Sequence, residues 1–423
     1  MISSKKVFNH DAEGNPIKGV KNPDGTYSSS CFIANLPIDV FGRVSVADPY
    51  KLFEYSASMF YDTTRYWSES LTGSATITRN ATTTQFELAT TTASGDKAIM
   101  QTRRNIQYNK GNGQEIFIIA RPCPIANRRT RWGYFDDLNG IFFEHDGTDP
   151  RLVIRSDVSG SPVDTPIERS DWDDPLDGSG ESGLTIDFDK QCVYKFDFGW
   201  LSSRGVRFYI DVNGTMVLVK SWLISNTLEY PFMRTGNLPI RVETENTGTT
   251  ASSSKAYWSC CAVQSSGSEV QEGAVRSVST GVTPINVTTT PSIGAGIRLK
   301  STFLNGSIQP LDFKMLPVSG NTNVYFRVIY NPTIAGGTWS STSDGIADVL
   351  TGYTSFSGGS VINEGHFPLA NKATGAITAL RELLNDIYVG RSIANVCDPL
   401  VIEFRTDSST GTLFFEGSYK EFA

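Results

Sequence analysis

Between Gln191 and Trp222 apolar and polar residues alternate closely enough to place three strands and the turns between them. In Cys192–Trp200 the even positions are Cys192, Tyr194, Phe196, Phe198 and Trp200, and the odd ones include Lys195, Asp197 and Gly199. Val206, Phe208, Ile210 and Val212 repeat the pattern, with Arg207 and Asp211 opposite. Asn213-Gly214 comes next and predicts a tight hairpin, because both residues tolerate positive φ. Met216–Trp222 is the return strand. Leu184–Asp189 alternates in the same way and predicts a further strand, with Asp187 and Asp189 on its polar side. A meander with one apolar face needs a second sheet to cover it, so the pattern predicts a β-sandwich. Phe196, Phe198, Phe208 and Ile210 should pack between the sheets, and Lys195, Asp197, Arg207 and Asp211 should face away.

The same reading extends along the chain. Cys31–Leu36, Phe41–Val46, Thr72–Thr92, Lys97–Tyr108 and Glu115–Ala120 read as strands. Arg128–Phe135 and Ile141–Glu144 form a hairpin around Asn139-Gly140, and Arg151–Ser156 follows. Residues 157–183 read as a long polar loop, of a length that is usually functional or packed on a partner. Leu238–Glu243 and Ala256–Val263 close this part. Ser265–Gly273, rich in Ser, Gly and Glu, marks a boundary. Beyond it, strands are expected at Gly296–Phe303, Leu311–Leu316, Val324–Tyr330, Pro399–Arg405 and Thr412–Tyr419. Ala376–Ile387 is the one helix candidate, with Leu380, Leu383, Leu384 and Ile387 on one face.

The fold class predicted is therefore all-β: two antiparallel, jelly-roll-like β-sandwich domains with an extended N-terminal arm. The arm is 1–30, the larger sandwich 31–268 and the smaller one, with its short helix, 269–423. A chain of 423 residues exceeds one ordinary core, which agrees with two domains. Residues 1–30 are too polar to fold alone, so they are expected to order on a neighbouring subunit.

Charge and cysteines narrow the setting. The net charge is −7 without any block of Lys or Arg, which argues against nucleic acid as a partner. There is no apolar run of membrane-spanning length and no secretory leader, so neither a membrane nor the usual export route is expected. None of the 6 cysteines forms a C-x-x-C pair, and Cys260 and Cys261 are adjacent, so buried free thiols are expected.

Candidate chemistry is sparse. The 3 histidines, His10, His145 and His366, have no metal-ligand spacing, and neither a G-x-S-x-G elbow nor a phosphate-cradling loop is present. No cofactor and no metal are expected. Asp136-Asp137 and His145–Asp149 offer oxygen ligands for calcium, but ordinary turn chemistry is the plainer reading. Asp187 and Asp189 are read as the close acid pair on one strand; without a partner glutamate they suggest a solvated face rather than a glycosidase. Of the 7 tryptophans, Trp172, between Asp171 and Asp173, is the best candidate for stacking on a sugar. Trp172, Asp187 and Asp189 are thus the possible ligand or interface residues.

Two resemblances add to this. Val193–Trp200 followed by Gly205–Gly214 resembles the strand pair of concanavalin-like jelly rolls, which implies fold only. Gln101-Thr-Arg, Gly133–Glu144, Ser170-Asp-Trp, Leu176–Gly180, Ser182–Phe188, Asn237–Glu243 and Ile297–Phe303 together resemble virion structural proteins of tailed bacteriophages and related viruses. That resemblance, spread over roughly residues 35–423, brings no catalytic residues. It implies a non-enzymatic part of the particle, in the tail, baseplate, fibre or capsid surface, assembled in the host cytoplasm. The partners implied are other virion proteins and copies of itself, a trimer by analogy with fibre and adaptor proteins. The alternatives are a carbohydrate-binding module for a host surface glycan and a polysaccharide-degrading glycosidase.

Overall fold

The structure, a computed structural model, describes residues 20–21, 27–28, 39–41, 49–201, 203–267, 273–369, 377–379 and 387–423. Its regular structure is nearly all antiparallel sheet, arranged around two apolar cores. The first core runs from Leu52 to Val263 and the second from Val278 to Tyr419.

The first core lies between two sheets. One has seven strands in the order Val163–Glu168, Pro150–Ser156, Gly140–His145, Arg128–Phe135, Ile240–Asn246, Lys97–Thr102 and Trp67–Thr72. The other has eight, led by Thr215–Leu223, Gly205–Val212, Cys192–Gly199 and Gln114–Arg121. The expected meander is present: Phe196 pairs with Phe208 in register, and Phe196, Phe198, Phe208 and Ile210 are each 0% exposed. The hairpin turn uses Asn213 at φ 55° and Gly214 at φ 82°, as the dipeptide requires. The return strand turns Val217 and Val219 inward and leaves Met216 and Leu218 exposed, and one residue of bulge at Val219 then sets Lys220 opposite Phe208.

The second core lies between a five-stranded sheet, containing the long pair Ser307–Ser319 and Gly411–Phe422, and a seven-stranded one centred on Ser292–Leu299 and Leu400–Thr406.

Several expectations change. Leu184–Asp189 is not a strand: Asp187 Oδ1 accepts the Asp189 N–H at 2.9 Å, closing a local turn in place of a ladder. The polar loop 157–183 contains an edge strand, Val163–Glu168, which tolerates Pro166 as an edge does. The helix placed at Ala376–Ile387 lies largely outside the described residues, and Ile377–Ala379 within it is a strand paired with Phe313–Met315. Most of the arm 1–30 and of the first two expected strands also lies outside them. Val20–Lys21 pairs with Tyr27–Ser28.

Candidate functional site

The residues singled out from the sequence do not converge. Trp172 is buried in the first core, and its Nε1 donates to the Ile167 carbonyl at 3.2 Å. It anchors its own loop and offers no face to a ligand, because the surrounding loop folds back on the sandwich instead of standing off it. Asp187 and Asp189 are exposed at a turn, not aligned on a strand. The acidic turns serve themselves: Asp136 Oδ1 accepts the N–H groups of Leu138 and Asn139, both at 2.8 Å. Asp146 Oδ1 likewise accepts those of Thr148 and Asp149. Burial pushes His145 down to about 4, against the pull of Asp146 and Asp149, so it is neutral at physiological pH. Among the described residues no group of three His, Cys, Asp or Glu side chains is placed to hold a metal.

Two other places gather chemistry. The first is the outer face of the seven-stranded sheet in the first sandwich. Directly opposed residues on five neighbouring strands read Glu243, Arg131, Glu144, Arg151 and Glu168, an alternation of charge across the sheet. Arg131 reaches Glu144 at 2.5 Å and Glu243 at 3.1 Å. Arg151 lies 3.5 Å from both Glu144 and Glu168. The next row on this face holds Gly133, Phe142 and Val153, and Phe135, one row beyond Gly133, joins Phe142 and Val153 in an apolar cluster. The guanidiniums of Arg131, Arg155 and Arg241 lie over those rings at 5.1–5.4 Å. Gly133 makes this possible, since a Cβ there would sit 2.5 Å from that of Phe142. Burial disfavours the charge on Glu243, but Arg241, Lys97 and Arg131 outweigh it and hold the carboxyl down at about 2. Glu243 therefore stays ionised and is no proton donor near neutrality.

The second is a cleft of about 340 Å³ between the two sandwiches. Its first wall carries Gln101, Asp136, Asp137, Leu138, Asp157, Arg234, Thr235 and Asn237; its second carries residues 301–306, Arg391, Ile393, Asn395 and Ala423. Cross-domain bonds fix its width. Arg391 Nη2 donates across to Asp136 Oδ2 at 3.1 Å, while its Nε holds the Leu304 carbonyl of its own sandwich at 2.8 Å. Asn105 Nδ2 also reaches the Leu304 carbonyl, at 3.2 Å. Arg241 joins the two places, bonding Glu243 on the sheet face at 2.8 Å and Asp137 in the cleft at 2.7 Å. Phe303 and Leu138 stand exposed in the cleft, 43% and 45%, amid amides, hydroxyls and carboxylates. Hydrogen-bonding groups around an exposed ring suit a ligand with many hydroxyls and an apolar ring face.

No protein-family model matches the chain, and no curated protein matches its sequence. Solved structures do resemble about half of the chain. A Bacillus licheniformis β-glucanase is 11% identical over 50% of this chain and 96% of its own, with a TM-score of 0.31. A putative β-glucanase from Mycobacterium abscessus is 11% identical over 50% and 99%, at 0.35. A legume lectin-like domain from Entamoeba histolytica is 9% identical over 46% and 89%, at 0.28. At these values the likeness concerns the jelly-roll fold alone.

The exclusion of an enzyme drawn from the sequence is nevertheless corrected. Glycosyl hydrolases are among the structures the chain resembles, and the exclusion is withdrawn. The premise of the exclusion also fails. Asp187 and Asp189 are not the close acid pair on a strand; Glu243 and Glu245 are, two residues apart in Ile240–Asn246. The segment Arg241-Val-Glu-Thr-Glu carried that signal openly.

Proposed function

We propose that this chain is a carbohydrate-binding component of a virus particle, with the sugar held in the cleft between its two sandwiches. The observation that supports the binding is the composition of the cleft: an exposed phenyl ring at Phe303 within a rim of Thr235, Asn237, Ser301 and Thr302. Such groups match equatorial hydroxyls and the C–H face of a pyranose. The particle setting rests on the resemblance of the short motifs to virion structural proteins. In this reading residues 1–30 dock on other particle subunits or on further copies of the chain, a trimer first, and the cleft meets a host surface glycan. The test is binding to arrayed oligosaccharides by the full chain and by Phe303→Ala. Selective binding that drops about tenfold in the variant is expected, the scale of one lost stacking contact. Binding that the variant leaves intact counts against the cleft.

A further inference from the structure

We infer that the cleft selects an uncharged carbohydrate and rejects acidic ones, an inference that rests on the cleft being the sugar site. Three side-chain carboxylates line it, and each is matched by one guanidinium. Asp136 is held by Arg391 at 3.1 Å, Asp137 by Arg241 at 2.7 Å and Asp157 by Arg234 at 3.2 Å. The two buried arginines have little left to give, and Arg234 is partly engaged. Arg391 also bonds the Leu304 carbonyl at 2.8 Å and the Asn395 side-chain oxygen. Arg241 is shared with Glu243 at 2.8 Å and Gln101 at 3.4 Å, and Arg234 Nη2 donates to the Asp157 carbonyl at 2.9 Å.

A uronate or sulfate entering this cleft would find every guanidinium engaged and three carboxylates nearby. Its charge would give up water without gaining a free cation among the described lining residues. A neutral sugar meets only polar groups that suit hydroxyls. The specificity falls mainly on Asp157. It is 5% exposed, whereas the side chain of its partner Arg234 is 60% exposed at the cleft, the one guanidinium a ligand could reach directly. Asp157 lies against the Nε side of that guanidinium and neutralises it, which weakens it as an anion site.

The experiment is calorimetric titration of the full chain with a panel of neutral oligosaccharides and with uronate and sulfated oligosaccharides of equal length. The wild type should bind a neutral member at least about tenfold more tightly than any acidic one, the scale of a polar group desolvated without a partner. Asp157→Asn frees Arg234 and should narrow that gap by a similar factor. Arg234→Ala, at an exposed side chain, should widen it. Matched thermal melts confirm that both variants fold. Tighter binding of acidic members by the wild type overturns the selectivity while leaving the cleft as a sugar site. A gap that neither variant alters overturns the role of Asp157. No binding of any member overturns both readings.

Discussion

Arg103 Nη1 of the first sandwich donates to Asp398 Oδ1 of the second at 2.7 Å, with the carboxylate side chain only 2% exposed. The same arginine donates through Nε to the carbonyls of Thr63 and Trp67, and its own carbonyl accepts the Arg391 N–H at 2.9 Å. Tyr330 completes the site by donating to Asp398 Oδ2 at 3.2 Å. One buried ion pair therefore ties both sandwiches to the segment that builds the cleft. Arg103→Ala leaves Asp398 buried without its cation and should cost about 3–5 kcal/mol in a denaturant melt. The loss of coupling should also split one unfolding transition into two. A cost under about 1 kcal/mol would mean that the pair is solvated.

Stability should depend on pH in two opposite ways. Burial raises Asp197 to about 7 and Asp398 to about 6, despite Lys195 and Arg207 beside the first and Arg103 beside the second. In each case the folded state binds the proton more tightly than the unfolded one. Stability from these groups therefore falls as pH rises from about 4 to about 7. Glu243 acts in reverse: its folded value, about 2, lies below the ordinary 4.5, so its contribution is present above 4.5 and lost as pH falls toward 2. Asp197→Asn should raise the melting temperature at pH 8 and flatten the slope between pH 4 and 7. Glu243→Gln should flatten the acid limb. Unchanged slopes in both variants would contradict the burial of these carboxyls.

The first core supplies a plainer contrast. Phe208 is 0% exposed, edge-on to Phe196 at 5.6 Å and to Phe143 at 5.7 Å between ring centroids. Phe208→Ala should cost about 3–5 kcal/mol. Asp211 accepts the Gly214 N–H at 2.9 Å at the exposed hairpin end, so Asp211→Ala should cost about 1 kcal/mol. Equal losses in paired denaturant melts would contradict the assigned faces.

These residues also show what the sequence could and could not tell. Alternation is a local signal, and it placed Phe196, Phe198, Phe208 and Ile210 inward because one wet face and one dry face leave a single register. It failed where a face is buried by charge rather than by apolar groups. Arg131, Glu144, Arg241 and Glu243 are at most 8% exposed, yet each reads as solvated until its opposite partner is known. Asp197 is a milder case: it faces away from the core as alternation demands but is 2% exposed, beneath the segment 39–41, whose Asp39 carbonyl accepts from Arg207. Trp172 misled because a polar neighbourhood in sequence says nothing about how a loop folds back. The cleft had no local signature at all. Its walls come from segments as far apart as Gln101 and Asn395, and only the docking of two sandwiches brings them together.

The central claim is that a sugar occupies the cleft, and hydrogen exchange of the full chain read by mass spectrometry tests it most directly. The probe is the tightest-binding neutral oligosaccharide from the titrated panel. Protection should appear in peptides covering residues 136–138, 234–237, 301–306 and 391–395, and should vanish in Phe303→Ala at the same sugar concentration. Protection confined to the outer sheet face around Arg131, Glu144 and Glu243, or unaltered by the Phe303 variant, would contradict the account.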